Sequence, residues 1–126
     1  IIEALKQKTI KVSLFIDPDE QAVRRSAALG ADAVELHTGA YAQADASTTQ
    51  MELQRLIDAT DVGVACGIAV HAGHGLTLDN LSPVAAIAGI QELNIGHALI
   101  SDALFLGGLE ASVAAYKACM ASARES

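Results

Sequence analysis

The residues best suited to chemistry lie in one short segment, residues 70–77, where an apolar run ends and a helical pattern is about to begin. Within it, the histidines His71 and His74 alternate with the glycines Gly73 and Gly75. Imidazole exchanges protons readily near neutral pH, and glycine lets the backbone adopt positive φ and approach a ligand closely. The segment therefore predicts a ligand site.

The rest of the sequence predicts four repeats of one unit, a short strand followed by a helix. Asp17 is predicted to cap the first of these helices, with Pro18 in its first position and Gly30 at its end. Residues 38–46 are predicted to form a polar loop, and residues 1–8 the end of an amphipathic helix. The predicted strands are 12–16, 33–37, 68–71 and 92–95; the predicted helices are 18–29, one from 47 or 48 that ends by 67, 80–88, 98–106 and 109–124.

The alternation of strands and helices predicts a parallel sheet with right-handed crossovers. Side chains alternate between the two faces of a strand, so Val34 and Leu36 share one face while Glu35 and His37 share the other. The third and fourth predicted strands show the same division into an aliphatic face and a small or polar face. An open sheet needs apolar helices on both faces, whereas a barrel has helices only outside. The predicted fold class is therefore an α/β barrel, of which four units are half of eight.

Polar side chains lie at the ends of the predicted strands, where α/β proteins bind their ligands. Glu35 would face inward among small apolar residues, which makes it a candidate acid, base or stabiliser of a cationic intermediate. The alternative is a structural ion pair with an arginine outside this chain. Gly96 and His97 directly precede a helix, whose free amides favour phosphate. The alternative there is a helix-opening glycine with a capping histidine.

Composition narrows the class of protein further. The chain has 126 residues, 52% of them hydrophobic, which predicts one ordered domain. Its formal charge of −7 argues against binding to nucleic acid or to a membrane surface. Cys66 and Cys119 follow no metal or redox spacing and are predicted to be reduced thiols, which fits a cytoplasmic protein. The sequence contains no run of about 18 apolar residues, so no membrane span is predicted.

A zinc site is the competing interpretation of the histidines, because several imidazoles on one rim could converge on a metal. None of them shows a known ligand spacing, so no metal site is predicted. The histidines concerned are His37, His71, His74 and His97.

Four segments, taken in order, resemble the C-terminal half of the pyridoxine 5′-phosphate synthase family. The resemblance extends from about residue 10 to residue 124 and implies a TIM barrel that binds phosphate. Residues 1–126 would be the C-terminal half of a single (β/α)8 barrel domain together with a terminal helix, and the N-terminal half would be absent. The segments are VSLFID at 12–17, ELHTGAYA at 35–42, AGHGLT at 72–77 and ELNIGHALI at 92–100.

The resemblance also implies a reaction in vitamin B6 biosynthesis. Members of the family condense 1-deoxy-D-xylulose 5-phosphate with 3-amino-2-oxopropyl phosphate, forming pyridoxine 5′-phosphate, phosphate and water. Such a ring-closing, transferase-type synthase assembles as a homo-octamer and needs no metal or other cofactor. The present chain alone is expected to be inactive, because part of the family's site lies outside it.

The resemblance assigns a role to each candidate residue. His74 corresponds to a catalytic proton donor, and Glu35 to a glutamate that stabilises the transition state. Gly75, Gly96 and His97 correspond to contacts with the phosphate of the aminoketone substrate.

Neighbouring residues are expected to support this site. His37 is predicted to support it without catalysing the reaction, and Asn94 to orient its neighbours. His71 stands where the family is expected to have asparagine. Two alternatives stay open: a non-catalytic, phosphate-binding half-barrel, and another phosphosugar enzyme with a TIM barrel.

Overall fold

Strands and helices alternate along the chain in a computed structural model that describes residues 1–125. The strands are β1 (Ser13–Ile16), β2 (Ala33–His37), β3 (Ala69–Gly73) and β4 (Ile90–Asn94). The helices are α1 (Ile2–Lys6), α2 (Glu20–Ala28), α3 (Gly39–Gln43), α4 (Thr49–Ala65), α5 (Leu81–Ala85), α6 (His97–Ala103) and α7 (Leu109–Glu125). The strands form one parallel sheet in the order β1-β2-β3-β4, as the alternation predicts.

One face of the sheet carries the core. Val34, Leu36, Val70 and Ala72 are fully buried on it, in a cluster with apolar side chains of α2 and α4. Helix α4 comes so close to β3 that a Cβ at Gly63 would overlap the Val70 side chain. Each fully buried aliphatic side chain of this kind contributes about 1.5–3 kcal/mol. The burial of this face holds the helices against the sheet.

The opposite face of the sheet is open and polar. Across it, Phe15 is paired with Glu35, Glu35 with His71, and His71 with Glu92. Phe15 remains 59% exposed. The predicted division into an aliphatic and a polar face is thereby confirmed, and the arrangement is consistent with part of a TIM barrel.

The strand boundaries differ from the prediction by one or two residues. The second predicted strand, 33–37, is confirmed in full, whereas the third extends to Gly73 because Gly73 still pairs with His37 and Asn94. The fourth begins earlier, at Ile90, which pairs with Val70. An irregularity between Val70 and His71 shifts the β3–β4 register, and a local pattern does not encode such a shift.

The prediction of a polar loop over residues 38–46 was wrong in part, because α3 occupies Gly39–Gln43. Tyr41 is buried in this helix, and its hydroxyl donates a hydrogen bond to the carbonyl of Asn80 at 2.8 Å. A helix this short lacks a clear periodic pattern in sequence. Its stability comes from this contact with a distant segment.

The predicted cap of α2 was also wrong. The capping side chain is Asp19, which accepts a hydrogen bond from the backbone N–H of Ala22 at 2.8 Å, whereas Asp17 precedes the helix. The helical pattern does not distinguish two aspartates two residues apart. Gly30, at φ +84°, follows the end of the helix as predicted.

Cys66 and Cys119 are both free thiols, as predicted. Within residues 1–125, no helix is long and apolar enough to cross a membrane.

Candidate active site

An open groove of about 580 Å³ lies at the carboxyl ends of the strands. Parallel α/β sheets bind their ligands at this end, because the loops that follow the strands meet there. The groove brings together residues from four separate parts of the sequence. All five candidate residues line it, namely Glu35, His74, Gly75, Gly96 and His97.

Glu35 pairs with His71 on β3, but its carboxylate extends over Gly73, which lies two residues further along that strand and has no side chain. A Cβ at Gly73 would lie 2.6 Å from the Glu35 Oε1 atom, so the carboxylate occupies space that only glycine leaves free. Among residues 1–125, no lysine, arginine or histidine forms an ion pair with Glu35. The carboxylate is therefore presented to the groove without a charged partner from this part of the chain.

The turn that carries His74 has an unusual backbone. His74 has φ +87° and Gly75 has φ +76°. A non-glycine residue at positive φ is strained by about 1–3 kcal/mol, and such strain persists only where surrounding contacts hold it. The turn thus projects an exposed imidazole into the groove at an energetic cost.

Thr38 supplies one of the contacts that hold this turn. The Thr38 hydroxyl donates a hydrogen bond to the His74 carbonyl at 2.5 Å, and its backbone N–H donates to the Gly73 carbonyl at 2.8 Å. Thr38 is fully buried. No local pattern in the sequence marks Thr38 as a site residue, because its partner lies 36 residues away.

Asn80 holds the other side of the turn. Its side-chain carbonyl accepts from the backbone N–H of Thr77 at 2.8 Å, and its amide donates to the Gly75 carbonyl at 3.2 Å. The sequence pattern predicts Asn80 only as the first residue of a helix. An asparagine three residues after a threonine in a glycine-rich loop is a signal that could have identified it.

Gly96 and His97 form the third wall of the groove. Gly96 precedes the first residue of α6, His97, and among residues 1–125 no atom beyond its chain neighbours lies within 4 Å of the position that a Cβ would take at Gly96. Both residues are exposed. The start of α6 therefore lies at the wall of the groove.

The chain matches one protein-family model, described as pyridoxal phosphate biosynthesis protein PdxJ, over residues 1–122. It belongs to this family. The chain is 55% identical over 107 residues to a pyridoxine 5′-phosphate synthase from Syntrophotalea carbinolica, and 49% identical over 110 residues to one from Sulfurihydrogenibium sp.. These matches cover 84% and 87% of the chain, but only 45% of each relative. The chain thus spans about half the length of the curated relatives that it matches.

In this member of the PdxJ family, the histidines do not gather into one cluster. His37 and His74 are in ring contact, with centroids 4.8 Å apart. His71 instead lies in the middle of β3, with its Nδ1 atom 4.0 Å from Glu92 Oε1. Within residues 1–125, no group of three or more histidine, cysteine, aspartate or glutamate side chains is arranged to hold a metal ion. Asn94, predicted to orient its neighbours, also lines the groove.

Helix α6 is fixed by contacts with α7. The Tyr116 hydroxyl donates to Asp102 Oδ2 at 2.8 Å, and the Ser112 hydroxyl donates to the Leu99 carbonyl at 2.7 Å. Burial, followed by the hydrogen bond to Asp102, raises the pKa of Tyr116 to about 12. These two contacts hold the helix whose first residues form one wall of the groove.

Proposed function

We propose that residues 1–126 are the C-terminal half of a single (β/α)8 barrel domain, supplying its last four strands and a terminal helix. Two features support this proposal. One face of the sheet is open and polar, and the edge strands β1 and β4 are each paired on one side of the sheet. A second groove of about 570 Å³, lined by Ile90, Leu93, Met120 and Arg124, runs along the free edge of β4. A neighbouring strand and helix of the barrel would fill such a groove.

The complete protein is proposed to be a pyridoxine 5′-phosphate synthase. It would condense 1-deoxy-D-xylulose 5-phosphate with 3-amino-2-oxopropyl phosphate to pyridoxine 5′-phosphate, phosphate and water. The observation that carries this proposal is the meeting of Glu35, His74, Gly75, Gly96 and His97 in one groove. Glu35 comes from β2 and the other four residues from the segments that follow β3 and β4, and active sites of barrel enzymes are likewise built from several strands and the loops after them.

His74 and Glu35 have different roles in the proposed reaction. His74 presents an exposed imidazole on a braced turn, where it donates a proton to an oxygen that leaves as water. Glu35 presents a carboxylate that stabilises the positive charge of an imine-like intermediate. Proton donation and charge stabilisation at separate positions allow both groups to act in the same step.

Phosphate would bind between two loops of the groove. Gly75 would let the backbone approach the ligand. The backbone amides of Gly96 and His97 would donate hydrogen bonds to a phosphate at the start of α6. Backbone amides bind phosphate without a basic side chain, so the acidic composition of the chain does not oppose this role. We further propose that the complete protein is a homo-octamer, is cytoplasmic and requires no metal or other cofactor.

The proposed function is tested with the complete purified protein and both substrates, by following formation of pyridoxine 5′-phosphate. His74→Ala and Glu35→Gln are each expected to lower kcat by about 10²–10⁴-fold, the usual contribution of a positioned acid or charge stabiliser. Glu110→Gln is the matched control, because Glu110 is an exposed glutamate on α7 outside the groove. Wild-type turnover by either active-site variant contradicts the role of that residue.

The same preparation separates the alternatives. A non-catalytic phosphate-binding protein gains thermal stability from inorganic phosphate but forms no product from the two substrates. Another phosphosugar enzyme also forms no pyridoxine 5′-phosphate, yet it consumes one of the two substrates. Product formation that depends on both substrates supports the synthase.

A further inference from the structure

We propose that His37 is a positioning residue, whose ring holds the imidazole of His74 in the groove. This inference rests on the proposed role of His74 as the proton donor. His37 is the last residue of β2, and its side chain is 33% exposed. It does not line the groove itself, so any effect on the reaction acts through a neighbour.

The first observation is that His37 lies between two other rings. Its ring centroid is 4.8 Å from that of His74, with the planes tilted by 43°. On another side, Phe15 meets it at 5.2 Å with the planes 78° apart, an edge-to-face contact. Phe15 therefore supports His37, and His37 supports His74.

The second observation is that Gly39, which has no side chain, leaves free the space that the His37 ring occupies. A Cβ at Gly39 would lie 2.6 Å from His37 Cε1 and 2.9 Å from Nε2. Any other residue at position 39 would push the ring away from its present place. The glycine, which also begins α3, thus permits the His37 ring to lie where it contacts His74.

The third observation is that the same segment holds the main chain of His74. Thr38, the residue after His37, donates its hydroxyl to the His74 carbonyl. The end of β2 consequently controls both the backbone and the ring of His74. Two independent restraints reduce the orientations that the imidazole samples, and a displacement of about 1 Å at a catalytic group costs on the order of 10²-fold in rate.

Charge has a small part in this arrangement. The Nδ1 atom of His37 lies 3.7 Å from Asp17 Oδ1, but the Asp17 side chain is 80% exposed. Ion pairs of exposed groups contribute little and are screened by salt. The shape of the ring, and not its pairing with Asp17, is therefore the property that positions His74.

The experiment compares His37→Ala, His37→Phe and Asp17→Asn in the complete protein. His37→Ala is expected to lower kcat by about 10²-fold with little change in KM, because substrate binding does not involve His37. His37→Phe keeps a ring between Phe15 and His74 and is expected to recover most of the lost kcat. Asp17→Asn is expected to behave like the wild type.

A second readout does not depend on turnover. The ring-proton NMR signals of His74 are expected to lose the ring-current shift from their neighbour in His37→Ala. In His37→Phe, which keeps a ring beside His74, they are expected to retain a ring-current shift. If His37→Ala does not fold, as judged by its melting curve, His37→Leu replaces it, because leucine fills most of the volume without a ring.

Each outcome decides the inference. Equal losses of kcat in His37→Phe and His37→Ala show that the imidazole nitrogens are required and overturn positioning by shape. Unchanged His74 signals in the variant without a ring overturn it as well. A wild-type protein that makes no product overturns the proposed function instead, while the NMR comparison still decides whether His37 holds His74.

Discussion

The hydroxyl of Thr38 donates a hydrogen bond to the main-chain carbonyl of His74, joining the end of one strand to the turn after the next. This bond connects to a histidine at φ +87°, a backbone conformation that is uncommon for residues other than glycine. The candidate proton donor is therefore placed by a buried residue that has no chemical role of its own.

Thr38→Val keeps the shape of the side chain and removes the hydroxyl. We expect the free energy of unfolding to fall by about 1–3 kcal/mol, because the His74 carbonyl loses the donor of a partly buried hydrogen bond. Thr60→Val is the matched control. Thr60 is equally buried, but its hydroxyl donates to Leu56, whose carbonyl keeps its helical partner. The free energies of unfolding of both variants are measured by urea denaturation. Equal losses of stability would show that the hydrogen bond to His74 contributes no more than a hydroxyl bonded within its own helix.

Gly75→Ala tests the close approach of the His74 turn to α3. An alanine there must adopt φ +76°, and its Cβ would lie 2.8 Å from the Cβ of Ala42. Gly67→Ala is the control, since Gly67 has φ +73° and no other part of the described chain comes within 4 Å of a Cβ placed there. Both variants share the backbone strain of about 1–2 kcal/mol.

Overpacking adds about 1–3 kcal/mol for Gly75→Ala alone. The two variants are compared by their free energies of unfolding in urea. An equal loss in both would contradict the crowding against Ala42.

Gly73→Ala is predicted to displace the Glu35 carboxylate, because the new methyl group would lie 2.6 Å from Glu35 Oε1. The variant is expected to be destabilised by about 1–3 kcal/mol. Part of this loss comes from the carbonyl of Asn94, which lies 2.9 Å from the same position. In a double-mutant cycle, Glu35→Ala should relieve the other part, with a coupling energy of about 0.5–3 kcal/mol. Strict additivity would mean that the carboxylate does not depend on the glycine.

Tyr116→Phe is predicted to change the stability of the protein in alkaline solution. The pKa of Tyr116 is raised from 10.0 to about 12 in the folded protein, so folding favours the protonated phenol. The stability linked to this group is complete below pH 10 and is lost as the pH rises from about 10 towards 12.

The wild type should therefore lose more stability than Tyr116→Phe between about pH 9 and pH 12, as measured by urea denaturation at several pH values. Tyr41, whose pKa is also raised by burial, titrates in both proteins and cancels in the comparison. Parallel stability profiles would contradict the raised pKa of Tyr116 in the folded protein.

Much of the architecture followed from local patterns. The alternation of strand and helix, and the alternation of side chains along β2, predicted a parallel sheet with one aliphatic and one polar face. These features depend on the geometry of a few consecutive residues, so they are present in the sequence itself. Helix α3, whose stability rests on a bond between Tyr41 and Asn80, did not follow from any such pattern.

The sequence by itself determined which residues could do chemistry, and it placed Glu35 on the polar face of a strand and His74 and Gly96 in the segments that follow two others. Only the tertiary structure decided how they are held. The support of Thr38 for His74, the space that Gly73 leaves for Glu35 and the ring contact of His37 all join residues from different strands. Such contacts depend on strand register and on the distance between loops, which no local periodicity specifies.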